Sequence, residues 1–477
     1  MRACIRAIER YSCQAESRDK IIHGSKILTK RQRTFLALPS AMIRNHTAPR
    51  TALRIFSLLA MLASLFLTAF GMASGQAAHP HNSSSQIDKP YVLLISIDGY
   101  RHDYSEKFGA ANLIEFARQG VRAKALIPEY PTLTFPNHYS IATGLYPEHH
   151  GIVENSFWDP ALQAGFKFTN PADAGDGRWW GGTPLWVLAE QQGMRTAAYF
   201  WVGTEASIQA TRPTFFYLYS SKVAMETQIQ QVMEWLNLPK AQRPHLILLY
   251  LSKVDHEAHL HGPEATETRD AVKAVDAALG QLFEQVRATG LGVNVVVVSD
   301  HGMAQVSREV RFTEEEFEGA KFVAGTTQID VYSKDPSVIE KLYARFQHKD
   351  EQIVVYRKRD IPAALHYGDN DRIGDLVLMA TTPLRFRYDA PGARPSGKVE
   401  GMHGYDVARV PEMKGIFYAR GPAIKAGLVI EEFQNINVYP FVARILGLNA
   451  PKSDGDLAVL APILKVGHRP RMRPNKN

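Results

Sequence analysis

The apolar positions of this chain fall in short unbroken runs rather than in strict alternation. Residues 91–97 read YVLLISI and stop at Asp98-Gly99, residues 245–251 read HLILLYL, and residues 293–298 read VNVVVV. Runs of this length, bounded by turn or polar residues, mark strands buried on both faces. Further strands are expected at 122–127 and 195–201. Helical patterns near 109–119, from Pro136 to Thr143, and near 264–289 are interleaved with them. The alternation predicts an α/β fold with a central, mostly parallel sheet sandwiched by helices. Residues 303–400 are more mixed and are expected to form a smaller inserted subdomain within a single domain at 89–464, after a polar linker at 79–88.

One apolar run is of another kind. Residues 53–70 (LRIFSLLAMLASLFLTAF) follow Arg44, Arg50 and Arg54 and precede the small-residue stretch GMASGQAA. Basic flank, apolar run and small residues together predict a secretory signal, cleaved between Ala73 and Ala78. The run is marginal for spanning a hydrocarbon core of about 30 Å, so cleavage is expected over a retained anchor. A signal normally opens a chain, so translation is expected to begin at Met42. Peptides from before Met42 in a mass spectrum would refute that.

Charge follows the same division. The 477 residues carry a net +7, but residues 1–54 hold twelve Lys or Arg and three acidic residues, so the rest stands at −2. The body therefore gives no electrostatic reason to expect nucleic-acid binding. The basic tail 465–477 is expected to be disordered. Both cysteines, Cys4 and Cys13, lie upstream of the apolar run. The exported part would have neither disulfides nor thiolate ligands, and any metal site must be built from His and Asp.

Candidate chemistry lies at strand ends. Asp98 follows the first run and Asp300-His301 the last, and in open α/β sheets ligands gather beyond the carboxyl ends of strands. A lone Asp there is more often a turn residue or cap, but two such ends, one with Asp-His, favour a metal crevice. After HLILLYL comes SKVDHEAHLHGP, where Asp255 and His259 are four apart and share one helical face. His256 and His261 are read as exposed, though either remains a candidate. In PTLTFPNHYS (131–140), Thr134 occupies the cap position of a helix with Pro136 in its first turn. That is an ordinary capping role, but a helix start also attracts phosphate, and a metal can activate the hydroxyl.

These segments resemble the nucleotide pyrophosphatase/phosphodiesterase family of the alkaline phosphatase superfamily. The resemblance runs through ISIDGYR (95–101), PTLTFPNHYSIATGLYPEHHGIVENSFWDP (131–160), SDHGM (299–303), HGYD (403–406), MKGIFYARGP (413–422) and NINVYP (435–440). It implies an alkaline-phosphatase-like fold and two Zn2+ ions. Asp255, His259 and His403 would hold one ion; Asp98, Asp300, His301 and the Thr134 oxygen would hold the other. His403 could not be selected by spacing. The resemblance also makes Thr134 the nucleophile of a phosphothreonine pathway and Asn155, beside the Phe135 N–H, a donor to a phosphate oxygen. Val254 and Ala258 stand where the family commonly has Pro and Gly, which puts that loop's conformation in question. The cysteine-rich and nuclease-like domains of some animal members are not expected here.

A threonine nucleophile with neutral Asn155 suits a monoanionic diester, whereas alkaline phosphatases use serine and an arginine clamp. Thr134-Phe-Pro-Asn-His lacks the C/S-x-P-x-R pattern of sulfatases. Phe135, Tyr250 and Tyr219, the last in a cluster with Phe216 and Tyr217, are candidates to stack a nucleobase, though each is equally a core aromatic. The expectation is an exported, periplasmic or secreted hydrolase of small phosphodiesters, nucleotides first, without a stable membrane anchor. Phospholipid-type or choline-phosphate diesters are the alternative substrates, and a non-catalytic zinc-binding protein is the alternative role.

Overall fold

The computed structural model describes residues 80–388 and 399–465. The basic extension, the apolar run at 53–70 with its cleavage region, and the tail from 466 lie outside the described residues.

Eight strands form one sheet: β1 (Tyr91–Ile97), β2 (Val121–Ala123), β3 (Thr196–Tyr199), β4 (Phe215–Tyr217), β5 (Leu246–Leu251), β6 (Val293–Val298), β7 (Phe417–Arg420) and β8 (Leu428–Ile430). Their spatial order is β8-β2-β7-β6-β1-β5-β3-β4. All run in one direction except β7, which is antiparallel to both β6 and β2. The unbroken apolar runs are explained by two separate cores. Val92 and Leu94 of β1 join one apolar cluster, while Leu93, Ile95 and Ile97 join the other, and β5 and β6 divide their side chains in the same way. Each such side chain, wholly buried, contributes about 1.5–3 kcal/mol. The three central strands are thus buried on both faces.

Three differences from expectation have local causes. The run at 122–127 is two strands: the chain leaves the main sheet after Ala123, and Leu126–Ile127 pairs with Phe433–Gln434 instead. A continuous apolar run does not encode which sheet each half joins. The segment read as a linker is docked, because Asn82 Nδ2 donates to Arg243 O at 2.8 Å and Asn82 Oδ1 accepts the Arg195 N–H at 2.7 Å. The helix expected from Pro136 begins earlier, as α1 (Thr134–Thr143), with Leu133 rather than Thr134 in the cap position.

Residues between β6 and β7 include a separate four-stranded antiparallel sheet in the order Lys321–Ala324, Gln328–Tyr332, Leu376–Ala380, Ile353–Arg357. Helix Pro336–Phe346 supplies Ile339, Leu342 and Phe346 to its own apolar cluster. Among the described residues no helix is long and apolar enough to cross a membrane.

Candidate functional site

β5, β1 and β6 are neighbours in the sheet, so their carboxyl ends open onto one crevice. β1 delivers Asp98 there, β6 delivers Asp300 and His301, and β5 leads into α2 (Lys253–His261), which carries Asp255 and His259 on one face. The turn after β1 depends on Gly99: its φ is +66°, and a Cβ would lie 2.9 Å from Asp255 Cα. That close approach lets the Asp255 N–H donate to Asp98 O at 3.1 Å. Val254 and Ala258, in place of the family's Pro and Gly, are fully buried within an intact helix. Ala258 O lies 2.3 Å from where a Cβ on Gly401 would sit, so only glycine fits between this helix and the His403 loop.

The three site histidines are oriented alike. His259 Nδ1 is 2.8 Å from Gly401 O, His301 Nδ1 is 2.9 Å from Gly302 O, and His403 Nδ1 is 2.9 Å from Thr132 O. A carbonyl only accepts, so each Nδ1 carries hydrogen and each Nε2 is left for the middle of the site. His403 Nε2 lies 3.1 Å from His259 Nε2, and the His301 and His403 rings stack with centroids 3.5 Å apart. His301 Nε2 is 3.0 Å from Asp300 Oδ2 and 3.4 Å from Asp98 Oδ1, and His259 Nε2 is 3.3 Å from Asp255 Oδ1. Those three carboxylate oxygens are buried and accept no hydrogen bond. Acceptor atoms converging without donors are the donor set that a divalent cation completes.

Ligand atoms of Asp255, His259 and His403 lie within 4.8 Å of one another, as do those of Asp98, Asp255 and His301. Asp255 therefore belongs to both groups. Asp300 belongs to neither by that measure, although the resemblance assigns it beside Asp98. The two halves differ in depth at their α2 residues: side-chain exposure is 2% for Asp98 and 0% for Asp300 and His301, against 17% for Asp255 and 21% for His259, while His403 is buried at 6%.

The electrostatics follow from that crowding. Burial, then Asp300 and Asp255, push the Asp98 carboxyl well above its ordinary value, with the Tyr250 phenol opposing. Burial also pushes Asp300 upward, but His301 and His138 more than reverse it and hold it well below the carboxylate range. Burial and then His301 bring His403 down to about 3. The site holds negative charge that it cannot solvate.

Thr134 faces this charge. Its Oγ1 is 3.3 Å from His301 Nε2 and makes no cap bond, so the helix start is served from outside: the Phe135 N–H donates to Asn155 Oδ1 at 3.0 Å. A cleft of about 890 Å3 leads away from Asp98, Thr134 and Asp255, with Phe135, Phe168 and Tyr219 on its walls. Phe135 also packs edge-on against Phe168, and Tyr219 edge-on against Phe200. Tyr250 lines the cleft but is buried, and its hydroxyl donates to Asp98 Oδ2. Phe216 is buried, and Tyr217 stacks on Tyr199 in the core. His256 is exposed at the cleft, and His261 is exposed beside Glu257.

Two supporting residues carry no sequence signal of their own. One is the Tyr250 hydroxyl, spent on a carboxylate. The other is His138, fully buried beneath Thr134 and Asp300. Only the i, i+4 spacing from Thr134 could have pointed to His138.

The sequence profile of the type I phosphodiesterase / nucleotide pyrophosphatase family matches residues 92–406. The chain belongs to this family. Among its relatives, the venom phosphodiesterase CdcPDE of Crotalus durissus collilineatus is 34% identical over 389 residues, 78% of this chain and 46% of that protein. Ectonucleotide pyrophosphatase/phosphodiesterase family member 3 of Rattus norvegicus is 32% identical over 394 residues, 79% of this chain and 44% of that protein. The chain thus spans less than half the length of these relatives. Murine ectonucleotide pyrophosphatase/phosphodiesterase 5 superposes with a TM-score of 0.73 at 28% identity, covering 79% of this chain and 100% of that one. An inactive Thr-to-Ala variant of the murine protein, in complex with AMP, superposes equally well. The family placement and the alkaline-phosphatase-like α/β fold agree with the reading from sequence.

Proposed function

We propose that this family member hydrolyses small phosphodiesters, nucleotides among them, with two zinc ions as cofactor and Thr134 as nucleophile. The reading is carried by one arrangement: a threonine hydroxyl beside His301, at the mouth of a cleft, next to three buried carboxylate oxygens that lack donors. Asp255, His259 and His403 would hold one ion, and Asp98, Asp300 and His301 the other, with Asp255 close to both. Zinc bound there would lower the pKa of the hydroxyl and offset charge on the phosphate oxygens.

The residues themselves define the rest. Thr134 Oγ1 attacks phosphorus in line, and the P–O bond to the departing alcohol or phosphate breaks on the far side. The resulting phosphothreonine is then cleaved by water, which returns the Thr134 hydroxyl. With Asn155 Oδ1 taken by the Phe135 N–H, the amide has Nδ2 to offer to a non-bridging oxygen. A neutral donor there matches a diester's single negative charge. Phe135 and Tyr219 on the cleft walls would stack the nucleobase of a bound nucleotide. Tyr250 supports Asp98 rather than offering a free face. That a structural neighbour is inactive as a Thr-to-Ala variant, in complex with AMP, favours a threonine at the reactive position and a nucleotide ligand.

The deciding assay is hydrolysis of p-nitrophenyl thymidine monophosphate with and without chelator. Activity that survives chelation sinks the metal chemistry. Comparing ATP, a diadenosine polyphosphate and glycerophosphocholine then tests the substrate class, and a clear preference for the last would replace nucleotides with choline-type diesters. Export to the periplasm or medium rests on the leader, and cell fractionation checks it.

A further inference from the structure

Beneath the site lies a fourth imidazole, which none of the site's ligand groups includes. His138 sits on α1, one turn after Thr134, and is completely buried. Its Nδ1 is 2.9 Å from Thr134 O and 3.3 Å from Asp300 Oδ2, while its Nε2 is 2.8 Å from Ser96 Oγ on β1. The rings of Trp201 and Tyr250 hold it edge-on at 5.2 and 5.1 Å. These contacts fix the tautomer. Thr134 O can only accept, so Nδ1 carries the hydrogen and Nε2 accepts from the Ser96 hydroxyl. The one N–H therefore points at the backbone of Thr134 and at a buried Asp300 oxygen that has no hydrogen-bond donor of its own.

We propose that His138 is a positioning residue: its Nδ1–H sets the Thr134 hydroxyl and the Asp300 carboxylate in register with one another, and Ser96 anchors it from behind. The inference rests on the function proposed above for Thr134 and extends it to a residue that touches neither substrate nor metal. A group holding both partners acts on turnover and on metal affinity, and less on substrate binding. Partners of this kind typically change metal affinity or activity about 10- to 100-fold.

Two side chains separate the two nitrogens of His138. Asn places an amide N–H near the position of Nδ1, whereas Gln reaches the position of Nε2 and leaves the Nδ1 side empty. Zinc affinity, measured by competition with a chelating dye, and kcat and KM on p-nitrophenyl thymidine monophosphate are compared for His138→Asn, His138→Gln and Ser96→Ala. His138→Gln should lower kcat and zinc affinity by about 10- to 100-fold with KM within about three-fold. His138→Asn should recover both to within about five-fold of the parent, and Ser96→Ala should lose less than His138→Gln. Parent-like zinc affinity and kcat in His138→Gln would overturn the proposal. So would equal losses in the Asn and Gln variants, which would mean that only the ring's volume matters. Should His138→Gln fail to fold, His138→Asn decides alone: a loss beyond about five-fold in either quantity counts against it. If the parent has no diesterase activity, the function reading fails, and the zinc titrations still decide the role of His138.

Discussion

The two halves of the site are built from similar residues but sit in different surroundings. Asp98, Asp300 and His301 lie at the ends of β1 and β6, at most 2% exposed, with two apolar cores behind them. Asp255 and His259 lie on the short helix α2 and face His403, about a fifth exposed. In the outer half, burial raises the Asp255 carboxyl, but His259, His403 and His301 hold it at about 2. In the deep half, Asp98 is pushed up by burial and by two other carboxylates. The outer carboxylate is paired by its own histidine, as the deep Asp300 is by His301 and His138. Asp98 has only the Tyr250 hydroxyl opposing burial and two other carboxylates, so its charge calls for a cation or a proton. The difference teaches that Asp98, by its position, needs a partner for its charge more than Asp255 does.

The largest effect should come from the proposed nucleophile. Thr134→Ala should lower kcat by about 10^3-fold or more while the melting temperature stays near that of the parent. Near-normal turnover in that variant refutes the nucleophile. Next, Asp300→Asn, which keeps shape and removes charge, should weaken the deep zinc at least about 100-fold, while His259→Ala should cost the outer zinc about 10- to 100-fold and spare the deep one. Equal losses from the two substitutions would break the comparison. Chelation should destabilise the parent as well as silence it, since a ligand at a thousand times its dissociation constant stabilises by about 4 kcal/mol. In Asp300→Asn that difference between metal-bound and metal-free protein should shrink.

Glu129 supplies a control for the smallest effect, a buried carboxyl outside both ligand groups. Burial pushes it up to about 8, with Gln434 opposing. Its folded pKa is raised, so the neutral form is the one the fold favours. The linked stability is present below the unfolded value near 4.5 and is lost as pH rises toward 8, by about 1.4 kcal/mol per pH unit at most. Glu129→Gln should flatten that slope in urea titrations at a series of pH values. An unchanged slope would show that burial alone does not set carboxyl protonation here, and the contrast with Asp98 would lose its basis.

The sequence announced the deep half more clearly than the outer one. YVLLISI and VNVVVV became strands with the expected limits because both faces of each are buried, and a strand buried on both faces is written plainly in composition. The acids after them followed from fold geometry. Asp255 and His259 were legible as an i, i+4 pair, and the helix is there. His403 was visible only through family resemblance, since nothing within a few residues of it encodes a partner that lies far away in the chain. The cap position given to Thr134 was off by one residue because Asn155, distant in sequence, serves the helix start instead. His138 and the Tyr250 hydroxyl stayed hidden for the same reason: a side chain's use as a support is decided by what packs on it in space.

The antiparallel subdomain has a further consequence. The chain departs at His301 and comes back at His403, and those two rings lie face to face. The excursion is tied at its neck by two of the proposed metal-binding histidines. Its length and decoration can change by insertion or deletion without shifting a ligand, as long as the knot holds. Conversely, the proposed metal site would stay incomplete until the excursion has folded and brought its far end home, so metal loading would be a late readout of successful folding.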